Sequence, residues 1–599
     1  MAYGANSRLR LSDTFRNTWP EVEAAAVPRI SVSSTITRTA PVSNPGAHGS
    51  LLNRRGVLWT GGALVVAALV TLPVSAVILL SLFPEENIWG HLAHTVLPGY
   101  VWRTLMLLTL VAGGTLAIGV GTAWLVTMCR FPGRRWFEWA LLLPFAVPAY
   151  VIAYTYTDLL EYAGPVQAML RESFGWASAS DYWFPEIRSL PGAAAMMALV
   201  MYPYVYLMAR AAFLEQSVST LDAARILGCS PWRSFALVSL PMARPSIAVG
   251  LALVSMETLN DFGTVDYFAV RTLTAGIYDV WLGMGNLGGA AQIASVMLTF
   301  VVLLVTLERF GRRRQKHFQA SRRLQRLPGY RLRGWRAATA FFACLVPTVA
   351  GFAVPAAILS SYAAQRFDSS WTVDFKSYVW NSLSLASMAA VVALTIGLFL
   401  AYSRRLSGGR LLNIAVKASG LGYAMPGAVL AIGVIIPFAW VDNTVDTFFR
   451  TYLGVSTGLL LSGTVFALLF AYVVRFLTVA VGSVETSLER VTPSMDMAAR
   501  SLGHGPASTL IKVHLPLIRG GMLTAVLVVF VDCMKELPAT LILRPFNFDT
   551  LATYVYQFAS DELLKECALG ALMIVAAGLL PVLLLSRTIS RSRSATDTV

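Results

Sequence analysis

The chain has 599 residues, 56% of them hydrophobic and 13% charged, with five scattered cysteines. Soluble domains carry about twice that share of charge, so the composition excludes an ordinary soluble globular protein and points to an integral membrane protein. The formal charge of +15 does not imply nucleic acid, because the basic residues cluster beside apolar segments and read as orientation signals on a bilayer.

Residues 1–55 are polar and rich in Ser, Thr, Pro and Arg, without the early apolar run of a signal peptide. They read as a disordered tail on the cytoplasmic side. A membrane helix needs roughly 20 apolar residues. By that criterion spans are expected at 57–83, 104–128, 139–156, 193–212, 247–268 and 290–307, then at 337–359, 383–402, 421–440, 459–481, 522–543 and 569–585. The expected fold is thus all-α, with about 12 transmembrane helices.

Arg54-Arg55, Arg130 with Arg134 and Arg135, the dense run 309–336, Arg404 with Arg405 and Arg410, and Arg587 with Arg591 and Arg593 all border spans. An even number of spans separates them, so they share one side, the cytoplasm by the positive-inside rule. Both termini are then cytoplasmic. His91 and His94 stand near the outer surface at a spacing that permits metal binding, but exposed loop residues are the simpler reading. No CxxC pair or other metal motif occurs.

The halves repeat each other. Tyr100-Val101-Trp102 matches Tyr378-Val379-Trp380, Gly119 matches Gly397, and Pro148-Ala149 matches Pro426-Gly427. Six spans in each half give both the same orientation, a parallel repeat about an axis along the membrane normal. The expected organisation is a first half at 56–308, a basic cytoplasmic linker at 309–336, a second half at 337–587 and a short cytoplasmic tail at 588–599.

Between the fourth and fifth spans of each half lies the same polar pattern. One copy runs Asp222-Ala223-Ala224-Arg225-Ile226-Leu227-Gly228 to Leu240-Pro241; the other runs Met497-Ala498-Ala499-Arg500-Ser501-Leu502-Gly503 to Leu515-Pro516. Each reads as helix, sharp turn, helix. Thr220 or Ser494 is expected to cap the first helix with Asp222 or Asp496 in its first turn. Gly228 and Gly503 allow the left-handed helix end. Pro231 and Pro506 start the next helix, and Pro241 and Pro516 end the unit. The small Ala223-Ala224 and Ala498-Ala499 pairs permit close approach to a partner surface.

These repeats resemble the coupling loop, or EAA motif, of ABC-importer permeases. Asp222 and Met497 stand where that family carries Glu. The resemblance spans both halves and implies the type I importer permease fold. It also implies two cytoplasmic ATPase copies, one docked at each loop, an outer solute-binding protein and a bacterial inner-membrane location. ATP and Mg would be bound by the ATPase, with no cofactor in this chain, which lacks the G-x-x-x-x-G-K-[ST] phosphate loop.

A narrower resemblance lies in the segment 182–189, in Tyr202-Pro203-Tyr204, in the run 257–268, and in Lys535-Glu536-Leu537-Pro538-Ala539-Thr540 followed by Leu543-Arg544-Pro545. Together these look like fused iron(III) permeases. Thiamine, phosphonate, sulfate and polyamine permeases share the architecture and stand as alternatives. An ion-driven secondary transporter is a further rival that would not need two matched hairpins, and no constellation of a membrane enzyme is present.

Glu257 and Asp261 lie near the end of the fifth span, and Asp532, Lys535 and Glu536 in the eleventh, the carboxylates corresponding across the halves. A charge at bilayer depth costs roughly 2.5–3.5 kcal/mol on insertion scales. Two readings stand side by side: a polar translocation route at the interface of the halves, or structural caps with Lys535 neutralising Glu536 or Asp532. Arg475, inside the tenth span, is expected to pair with a carboxylate or carbonyl and hold the halves together.

Overall fold

The computed structural model describes residues 54–84, 86–313, 329–407, 409–420, 422–489 and 491–594. The expected N-terminal tail, most of the basic linker and the last five residues of the C-terminal tail lie outside the described residues. What is described is helical, apart from a two-residue parallel pairing of Cys129–Arg130 with Tyr330–Arg331. Ten helices among the described residues are long and apolar enough to cross a membrane, or eleven if the bent pair Arg134–Ala146 and Ala149–Phe174 crosses as one, against the twelve expected. The last expected span falls in the helix Leu564–Ser594.

The third expected span is not a straight helix. A short helix Arg134–Ala140 and a 3₁₀ turn Leu143–Ala146 lead to Pro148, after which Ala149–Leu160 runs off at 90°. Pro148 offers no N–H and pushes Val147 into extended backbone, with ψ 123°, so continuous winding stops there. The second half repeats the device: helix Arg410–Ser419, 3₁₀ turn Gly422–Ala424, Pro426, then the ninth span Gly427–Leu453.

The fifth and eleventh spans also end earlier than expected. Leu240–Asn260 stops before Asp261, and Leu515–Lys535 stops before Glu536; the short helices Gly263–Tyr267 and Pro538–Leu543 follow as separate pieces. Apolar residues resume beyond each break, so a criterion of apolar length runs on through the polar pairs Asn260-Asp261 and Lys535-Glu536. The acidic residues there bind the next helix instead of extending the first.

Each half lends its opening span to the other. The first span, Arg54–Leu82, packs on the second half: the backbone of Gly433 presses on Pro73, and Trp59 stacks on Phe399 with ring centroids 5.2 Å apart. The seventh, Trp335–Ser370, packs on the first half, with Phe341 against Phe137 at 5.2 Å and the Ala350 carbonyl accepting from Tyr156 Oη at 2.8 Å. Inside each half the second and fourth spans, or the eighth and tenth, close on one another. A Cβ at Gly119 would lie 2.8 Å from Val205 Cβ, and one at Gly397 would lie 3.1 Å from Ala480.

Candidate functional site

Four broken backbones converge at the centre of the molecule: the two proline turns and the ends of the fifth and eleventh spans. The first proline turn and the two span ends line a cavity of about 120 Å³ whose residues include Glu257, Asn260 and Asp261 of the first half and Arg475, Asp532, Lys535 and Glu536 of the second, and the second proline turn packs behind it through Tyr423 and Gly427. Irregular backbone at membrane depth is tolerated where it lines such a cavity, because polar side chains or water can satisfy the freed groups.

Asp261 and Glu536 occupy corresponding positions and do corresponding work. Asp261 Oδ1 accepts from Thr264 N at 2.9 Å, and Glu536 Oε1 accepts from Ala539 N at 3.2 Å. Each carboxylate thus holds the first turn of the short helix that follows it. Gly427 has no side chain because a Cβ there would stand 2.7 Å from Glu536 Oε1.

The next pair reaches across the interface in opposite directions. Asn260 of the first half accepts from Gly427 N at 2.6 Å and from Arg475 Nη1 at 2.7 Å, both in the second. Lys535, its counterpart, donates to the Phe145 carbonyl of the first half at 2.8 Å and lies over the Phe145 ring at 4.7 Å. Lys535 makes no direct ion-pair contact with Glu536 or Asp532, but its charge acts on Asp532 through space, one of the two partners considered from sequence.

Arg475 is the central cation. Its Nε lies 3.3 Å from Glu536 Oε2, and its Nη1 also donates to the Met425 carbonyl at 3.3 Å. Arg475 and Glu536 are both 4% exposed. Breaking such a pair from one side leaves an uncompensated buried charge at a cost of about 3–5 kcal/mol. Glu257 accepts from Tyr423 Oη at 3.2 Å. All five expected pathway residues thus line one cavity. Asn260 and Tyr423 were not anticipated; the signal available was position, since Asn260 stands where the second half has Lys535.

The hairpins form as two copies of one structure, each centred on a helix end. Val218–Ile226 closes with Gly228 at φ +76°, its N–H bonded to the Arg225 carbonyl at 2.9 Å and Cys229 N–H to the Ala224 carbonyl at 3.0 Å. Pro493–Ser501 closes with Gly503 at φ +81°, with Gly503 N–H on Arg500 and His504 N–H on Ala499, both at 3.0 Å. This is the Schellman arrangement, and the left-handed residue must be glycine to avoid a Cβ penalty.

Several expected details differ. The cap positions are Ser217 and Thr492; Thr220 and Ser494 lie inside their helices. Asp222 is beyond the first turn and pairs with Arg225 at 3.5 Å, while Asp496 is in it. Only Ala223 and Ala498 face outward, because Ala224 and Ala499 are buried against the chain itself.

Pro241 and Pro516 do not end the unit. Each sits in the first turn after a π-helical turn, Phe235–Ser239 or Leu510–His514, and helical winding runs on from Pro231 to Asn260 and from Pro506 to Lys535. A π turn absorbs the donor that proline lacks. The hairpins are thereby joined without a break to the helices that end at the polar cavity.

Each hairpin presents apolar side chains outward: Ile226, Leu227 and Trp232 on one, Met497, Leu502 and Ile511 on the other. Leu227 and Leu502, at equivalent places, are 82% and 77% exposed. The anchoring differs between copies. In the first, Leu221 is buried and Gln216 Nε2 donates to the Ser239 carbonyl at 2.9 Å. In the second, Asp496 pairs with Arg405 at 2.8 Å and with His514 at 2.6 Å.

On the opposite side, Arg188 ties the halves together, 2.8 Å from Glu161 and 2.6 Å from Glu562. Nearby, the Ser178 and Ala177 N–H groups donate to Asp181 and hold its carboxyl below the usual carboxylate range. His91 and His94 are exposed, and no group of three or more His, Cys, Asp or Glu side chains among the described residues is arranged to hold a metal.

A bundle of membrane-length helices with two matched hairpins and a polar cavity between duplicated halves is the architecture of a transporter permease. The chain belongs to the family of binding-protein-dependent transport system inner membrane components, whose family model matches residues 113–317. It is 25% identical over 491 residues to the Fe(3+)-transport system permease protein FbpB 2 of Haemophilus influenzae, covering 81% of this chain and 89% of that one. It is 30% identical over 210 residues to the molybdenum transport system permease protein ModB of Escherichia coli, 33% of this chain and 88% of that one. Over 262 residues it is 29% identical to the Escherichia coli sulfate transport system permease protein CysT, 42% of this chain and 91% of that one. The chain is a fused, multi-pass ABC-importer permease, and such permeases act with an ATPase and a binding protein.

Proposed function

We propose that this permease imports iron(III), docking one cytoplasmic ATPase on each hairpin and receiving cargo from a solute-binding protein on the outer face. The central cavity carries the cargo reading: four carboxylates surround it against two basic side chains, Arg475 and Lys535. A formal excess of acid favours a hard cation and disfavours an oxyanion such as sulfate or molybdate. The length of the match with the Fe(3+) permease, which extends over both halves, supports the same reading.

Glu257, Asp261 and Glu536 are already engaged with protein groups, so they can offer passing contact but not tight ligation, as a conducting path requires. Mechanical coupling follows from continuity. ATP closure of two ATPases would draw Gly228 and Gly503 hairpins together, and the unbroken helices behind them would move Asn260 and Lys535, the residues that cross the interface. ATP and Mg would be held by the ATPases alone, and both termini would be cytoplasmic.

The test is uptake in proteoliposomes holding permease, ATPase and binding protein, supplied with ferric citrate, sulfate or molybdate. ATP-dependent ferric uptake that falls in Glu257→Gln with Asp261→Asn is expected. Uptake of sulfate or molybdate instead of iron overturns the cargo, and uptake without any ATPase overturns the coupling.

A further inference from the structure

Away from the pathway lies a second cavity of about 780 Å³, between the second span, Leu97–Met128, and the seventh, which opens at Trp335. Its wall includes Ala117, Gly121, Leu125, Ala338, Phe342 and Val346. The groove exists because small residues stand where the two helices diverge, and a Cβ at Gly121 would touch nothing within 4 Å. The equivalent crossing in the repeat, between the eighth and first spans, is filled. Two residues beyond Gly397, where the first half has Gly121, stands Phe399; its ring stacks on Trp59, and a Cβ at Gly62 would lie 2.7 Å from it. One copy of a duplicated joint is therefore packed, and the other is left open.

The mouth of the open copy is basic. Strand pairing places Arg331 beside Arg130, and Arg333 and Arg336 flank Trp335. Arg130, Arg331, Arg333 and Arg336 are exposed, and none forms an ion pair with a carboxylate among the described residues. Trp335 is 74% exposed, with the Arg336 guanidinium 5.7 Å from its ring centroid. An apolar slot under an unneutralised arginine cluster matches one class of ligand that surrounds any membrane protein.

We propose that an anionic phospholipid is held here, one acyl chain in the groove beside Gly121 and its phosphate among Arg331, Arg333 and Arg336. The site would brace the junction of linker and first half, and it is independent of the cargo.

Native mass spectrometry of the delipidated full-length permease, titrated with phosphatidylglycerol or phosphatidylcholine, tests it. Retention of phosphatidylglycerol at concentrations where phosphatidylcholine is lost is expected. Gly121→Phe, which fills the groove as Phe399 does, should weaken phosphatidylglycerol binding about tenfold. The surface triple variant Arg331→Gln, Arg333→Gln, Arg336→Gln, which leaves the packing untouched, should weaken it about tenfold or more while sparing phosphatidylcholine. Equal retention of the two lipids, full binding by both variants, or displacement of the lipid by inorganic phosphate overturns the proposal.

Discussion

At the scale of single residues, the centre of the protein depends on a few groups that serve two halves at once. Arg475 meets Glu536 in its own half, while Asn260 of the other half accepts from the same guanidinium. Removing the cation alone would strand Glu536. Arg475→Met is expected to lower stability in detergent by about 3–5 kcal/mol, and adding Glu536→Gln should recover most of it, because the neutral pair leaves no orphan charge. Differential scanning calorimetry of the solubilised permease checks both. A double variant no more stable than the single would show that the pair is not what the arginine balances. Asn260→Ala should cost about 1–3 kcal/mol, since two buried donors lose their acceptor.

At the scale of elements, the hairpin is a rigid unit whose shape depends on one backbone conformation. Gly228 and Gly503 sit at φ +76° and +81°, where a β-branched residue costs about 1–2 kcal/mol or more. We expect Gly228→Val with Gly503→Val to insert normally yet uncouple ATP hydrolysis from uptake, measured as phosphate released per ion transported. Normal coupling in that variant would sink the docking account. Leu227→Asp with Leu502→Asp puts charge on the exposed tips without straining the turn. It should cut ATPase binding at least tenfold in a pull-down, because a desolvated apolar contact is replaced by an unpaired carboxylate. The different anchors behind the tips, Leu221 in one copy and Asp496 with His514 and Arg405 in the other, mean that the two hairpins are alike in surface but not in support.

At the scale of the whole molecule, exchange of the opening spans makes the two halves one body, with Arg188 and Glu562 joining them at the outer rim. Two hairpins in one chain predict two ATPases per permease, which native mass measurement of the assembled complex reads directly. A single bound ATPase would refute the equivalence of the sockets. Much of this body is written locally. Apolar runs of membrane length, glycines at helix ends, and prolines spaced alike in both halves fix spans, hairpins and repeat, because each acts over a turn or two of backbone. Breaks inside these runs are not legible that way: hydropathy stays high across Ala146 to Ala149, so the third span reads as one straight helix, and apolar residues resume beyond Asn260-Asp261 and Lys535-Glu536, so the fifth and eleventh read as too long. The pairing of Asn260 with Arg475 and of Lys535 with the Phe145 carbonyl joins residues 215 and 390 positions apart. Charge and membrane depth announced that these groups needed partners. Only the packing of four interrupted helices around one cavity decided which partners they have.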